Sequence, residues 1–128
     1  MNALNQYQTD ALRTAKGEPH ERVLEAALGL AGEAGEVADL VKKRNFHGHE
    51  VTPEKLAEEL GDVLWYIAIM ADAIGFTLED VAAANVAKLE ARYPDGFDEA
   101  RSKFRPRAQG QTVAPARTSA KGGDDDGE

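Results

Sequence analysis

The 128-residue chain has no cysteine, which rules out disulfides and zinc–thiolate sites and fits a reducing compartment. It is also short of positive charge: 15 Lys and Arg against 23 Asp and Glu leave a formal net charge of −8. A sequence-independent grip on nucleic-acid phosphates needs a basic surface, so long nucleic acids are not expected as ligands. No apolar run approaches the roughly 20 residues that span a bilayer. The opening MNALNQYQTDALRTAKGEPH likewise holds no apolar core of the signal-peptide kind. A soluble, cytoplasmic protein with no membrane partner is the expectation. Two-residue alternation of apolar and polar side chains is absent as well, which removes half-buried strands and leaves an all-α reading.

What is present has helical periodicity. Leu4, Tyr7, Ala11 and Leu12 recur at helical spacing until Gly17 and Pro19 interrupt them. From about Glu21 to Arg44, Val23, Leu24, Ala27, Leu28, Ala31, Ala34, Ala38 and Val41 form a wide apolar arc. Lys42, Lys43 and Arg44 close it, where positive charge suits the helix dipole. After the loop NFHGHEV, Thr52-Pro53 reads as an N-cap followed by proline in the first turn, and the third helix runs to about Ile74 before Gly75. Thr77-Leu-Glu-Asp80 has capping-box spacing and opens a fourth helix to Arg92, which YPDGF ends. Residues 1–104 are read as one domain. Residues 105–128 have almost no large apolar side chains and end in an acidic run, and are expected to be a disordered tail. Four helices in so short a chain leave apolar surface for a partner, so the expected architecture is a four-helix-type bundle completed by homo-oligomerisation.

The third helix is apolar nearly all round from Leu60 to Ile74, the pattern of a helix buried on every side. Glu59 and Asp62 stand near Tyr66, Ile69 and Met70 on its wheel and are expected to face packed surface. Such carboxylates need a cation or hydrogen-bond donors. Glu33 and Glu36 are also spaced i, i+3, about 60° apart on the second helix, and antiparallel packing of the two helices would bring all four acids together. Taken alone, Glu33 and Glu36 lie on the border of the polar arc and are more often a solvated face. A four-acid cluster repels itself unless divalent cations neutralise it, and oxygen-only donors favour a hard ion such as Mg²⁺ or Mn²⁺. Within GLAGEAGEV, Gly29, Gly32 and Gly35 cost helix stability unless something close needs the space. Close approach of a ligand or helix at Gly32 and Gly35 is the expectation.

The pattern Glu33-x-x-Glu36, a gap of 22 residues, then Glu59-x-x-Asp62 resembles the signature of MazG-like nucleoside triphosphate pyrophosphohydrolases. LAGEAGEVADLVKK, EELGDVLWYIA and NVAKLEARYPDGF are similar to that family in order and spacing, over about residues 20–97. The resemblance implies a homodimer or homotetramer that hydrolyses (deoxy)nucleoside triphosphates to monophosphate and pyrophosphate with Mg²⁺, Mn²⁺ being a substitute. It implies that Glu33, Glu36, Glu59 and Asp62 form the catalytic, metal-binding set; one of the glutamates would accept the proton of the metal-bound water, and Glu33 is the one chosen here for that role. Asn85 and Lys88 match the family's Asn-x-x-Lys and would contact phosphate, with Arg92 one turn on. Gly32 stands where many relatives carry a second, adjacent glutamate.

Other features carry less. Lys43, with Lys42 and Arg44, suits a polyphosphate as well as the helix dipole, and His47 and His49 lack the further ligands of a zinc site. Trp65 suits either a nucleobase or the core. The implied role is house-cleaning or balancing of nucleotide pools. A dUTP- or dCTP-specific relative and a non-catalytic helical oligomerisation or binding module are the alternatives.

Overall fold

The computed structural model describes residues 2–105, and the tail expected over 105–128 lies outside the described residues from position 106 onward. The described residues form five helices and no strand: α1 (Ala3–Leu12), α2 (Pro19–Phe46), α3 (Pro53–Ala73), α4 (Leu78–Arg92) and α5 (Glu99–Lys103). The all-α expectation holds.

Local chemistry sets the boundaries. The Thr52 side chain accepts from the Lys55 N–H at the start of α3, with Pro53 in the first turn. Thr77 and Asp80 form a reciprocal capping box on α4. Gly75, at φ +87°, makes the left-handed turn that ends α3, a conformation other residues resist. α2 is longer than its periodicity predicts: Pro19 begins its first turn, and the Glu21 carboxylate accepts from the Glu18 N–H at 2.8 Å. α5 escapes the periodicity because five residues are too few to show one; its sequence signal is Asp98, whose side chain caps Arg101 N–H at 2.8 Å.

α2 and α3 pack as a long antiparallel hairpin across the connection 47–52. Its open end is pinned by Arg22, whose guanidinium lies 2.9 Å from the Asp72 carboxylate. α1 runs back along the C-terminal half of α3, where Ala11, Ala68, Ala71 and Leu78 form the buried core with Tyr7, Trp65, Ile67 and Phe76 against it. The Trp65 indole N–H donates to Ala11 O at 3.2 Å and Thr14 Oγ1 at 3.0 Å, which assigns it to the packing of α1. The first turn of α4 is held by Gln8 and Asn5 of α1.

One packing expectation is corrected. α3 is not covered on every side: Ala68, Ile69 and Ala71 are buried, while Leu60, Leu64 and Ile74 are exposed. Among the described residues α2 and α1 pack against α3, and Leu60 and Leu64 in its first half stay exposed.

Candidate metal centre

The hairpin register decides which acids meet. Glu33 lies midway along α2, and Glu59 and Asp62 lie one turn apart in the first half of α3. Antiparallel packing sets them side by side, with one carboxylate oxygen from each of the three within 4.8 Å of the others. This donor set is oxygen only and negatively charged, which fits a hard divalent cation.

Their settings differ. The Glu59 side chain is 13% exposed and its Oε1 lies 3.0 Å from Lys55 Nζ. Glu33 is half-buried, whereas Asp62 is exposed, correcting the expectation that Asp62 faces packed surface. Burial, followed by the negative charges of Asp62, Glu59 and Glu36, pushes the Glu33 carboxyl above its ordinary range. Tyr7 on α1 is also pushed up, by burial first and then by the charge of Asp62.

Glu36 is exposed and lies outside the three-acid group, although its charge reaches Glu33. Lys43 is drawn to Asp39, at 2.7 Å, and Lys42 to the same carboxylate, at 2.6 Å. Bonds to these two ammonium groups lower Asp39 to about 2. Asn85 and Lys88 are exposed on the second half of α4 and Arg92 is half-buried at its end. Among the described residues none of these three side chains pairs with the acids.

The glycines divide. A Cβ on Gly29 would lie 2.2 Å from Tyr66 Cε1 and Cζ, so this residue lets the ring lie against the α2 backbone. Nothing lies within 4 Å of a Cβ built on Gly32 or Gly35 among the described residues, so the close approach expected there is absent from the single chain. Lys55 is the residue that sequence reasoning missed; its i, i+4 spacing to Glu59 was the available signal.

Residues 21–97 match the family of the MazG nucleotide pyrophosphohydrolase domain. The chain is 43% identical over 74 residues to the Gene 37 protein of Mycobacterium phage L5, covering 54% of this chain and 64% of that protein. It thus spans just under two thirds of the phage relative's length. It is 40% identical over 74 residues to the uncharacterized protein YvdC of Bacillus subtilis (strain 168), covering 50% of this chain and 69% of that protein. No solved structure matches.

Proposed function

The chain belongs to the MazG nucleotide pyrophosphohydrolase family, and on that premise we propose that it hydrolyses (deoxy)nucleoside triphosphates to monophosphate and pyrophosphate in a Mg²⁺-dependent reaction, with Mn²⁺ as a substitute. The observation that carries the proposal is the meeting of Glu33, Glu59 and Asp62 across two helices, oxygens within 4.8 Å. Charge repulsion opposes such a meeting, and a divalent cation would relieve it. A non-catalytic module therefore accounts less well for the site.

Glu33, Glu59 and Asp62 would hold the ion, with Glu36 at its edge. When bound, Mg²⁺ offsets the negative charge of the triphosphate and acidifies water in its shell. Glu33, which stands beside the other two acids, would accept the proton of the attacking water. The water oxygen joins one phosphoryl group as the bridging oxygen departs with the other, separating monophosphate from pyrophosphate. Asn85, Lys88, Arg92 and Lys43 are the proposed phosphate contacts. Lys43 reaches that role only by leaving Asp39.

The proposed working form is a homodimer or homotetramer in the cytoplasm. Leu24 and Leu28 on α2 are 64% and 68% exposed, and Leu60 and Leu64 are exposed on α3. A second copy would cover this apolar surface and the open half of α4, where Val86 and Leu89 are exposed. No helix among the described residues is long and apolar enough to cross a membrane.

The test is ion-exchange product analysis of a panel of nucleoside triphosphates incubated with the protein and Mg²⁺ or Mn²⁺. Monophosphate and pyrophosphate, lost in a folded Glu59→Gln/Asp62→Asn variant, are expected. No turnover of any triphosphate with either ion would overturn the proposal.

A further inference from the structure

One cation already reaches into the acidic group. Lys55 stands one turn before Glu59 on α3, its Nζ 3.0 Å from Glu59 Oε1 and 3.3 Å from Glu58 Oε2. The two carboxylates differ in setting. Glu58 is 66% exposed, and its pairing competes with water and salt. Glu59 is largely shielded, its carboxylate is grouped with two other acids, and Lys55 is its only ion-pair partner among the described residues.

We infer that Lys55 is a resident counter-cation of the acidic group, which a divalent metal displaces from Glu59, so that this side chain sets the metal affinity of the site. The inference rests on the metal-site reading above. A divalent ion coordinates carboxylate oxygen at about 2.1 Å for Mg²⁺, and an ammonium held on the same carboxylate is then repelled at short range. Lys55 can withdraw at little cost, because its stem is flexible and its side chain is 44% exposed. With the ammonium in place, part of the negative charge of the cluster is offset when no metal is bound. The same residue that makes three converging acids tolerable without metal thereby weakens the hold on metal.

Isothermal titration of MnCl₂ into the full chain at low ionic strength tests this, comparing wild type with Lys55→Gln, Lys55→Arg and Lys42→Gln. Lys42 pairs with Asp39 outside the acidic group, so its variant makes the same change in net charge elsewhere. Lys55→Gln should bind Mn²⁺ about three- to ten-fold more tightly, the scale of removing one charge several ångströms from a divalent ion near a protein surface. The gain should shrink at high salt, and Lys55→Arg and Lys42→Gln should stay near wild type. Unchanged or weaker binding by Lys55→Gln, with wild type binding normally, overturns the inference and leaves the metal site standing. An equal gain in Lys42→Gln overturns it in favour of a general charge effect. Failure of all four folded proteins to bind Mn²⁺ overturns both the inference and the metal-site reading.

Discussion

Two glycines one turn apart on α2 have opposite surroundings. Gly29 is pressed against the Tyr66 ring, whereas Gly32 has open space where a side chain would stand. Gly29→Ala should therefore lower stability by about 1–3 kcal/mol, the usual cost of overpacking. Gly32→Ala should raise it by up to about 1 kcal/mol, the helix-propensity difference, when urea denaturation of the metal-free protein is compared. The sequence marked both residues as costly, yet only the facing helix tells them apart. Glu33 makes a second contrast. Its folded-state carboxyl is raised above an ordinary value of 4.5, so the folded chain holds that proton more tightly than the unfolded chain. The stability associated with protonated Glu33 is present below about 4.5 and lost as pH rises through the higher folded value. Glu33→Gln should accordingly raise the melting temperature of the metal-free protein at pH 7 and leave it nearly unchanged below pH 4. The same scan repeated with Mn²⁺ should show the variant losing the stabilisation that the ion gives wild type.

Elements are joined by side chains whose importance depends on tertiary meeting points. Gln8 is buried on α1; its Nε2 donates to Ala68 O at 3.2 Å and Phe76 O at 3.1 Å, and its Oε1 accepts from Leu78 N–H at 3.1 Å. One amide thus ties the end of α3 to the start of α4. Gln8→Leu strands the Leu78 N–H and should cost about 1–3 kcal/mol, seen in denaturant melts and as faster amide exchange in the first turn of α4. Nothing in the sequence singles out Gln8, which sits among Leu4, Tyr7 and Ala11 as an ordinary polar neighbour. Its burial follows from the docking of three helices. Helix ends were legible for the opposite reason: Thr52-Pro53, Gly75 and the Thr77–Asp80 box act within a few residues. The acid pairs were legible as pairs. Their convergence, and the position of Glu36 beyond the three-acid group, depends on hairpin register, which periodicity leaves open.

For the molecule as a whole, the uneven covering of α3 sets the expected assembly. Light scattering after size exclusion should give a dimer or tetramer, and Leu28→Glu, which places charge on a leucine that is 68% exposed, should shift it toward monomer. A monomer in the wild-type measurement would refute the assembly. The overall charge and helical class could be read from composition, but the uncovered face could not, because a strongly apolar helix looks the same whether its own chain or another buries it. The hairpin also has a consequence in time. Its acids come from consecutive helices joined by a short connection, so the closure that unites them is entropically cheap and local. A chain that forms this hairpin in its folding transition state meets the carboxylate repulsion on the way up the barrier. Divalent ions would then speed refolding more than they slow unfolding, making the rate of self-assembly responsive to the ion the finished site is shaped to hold.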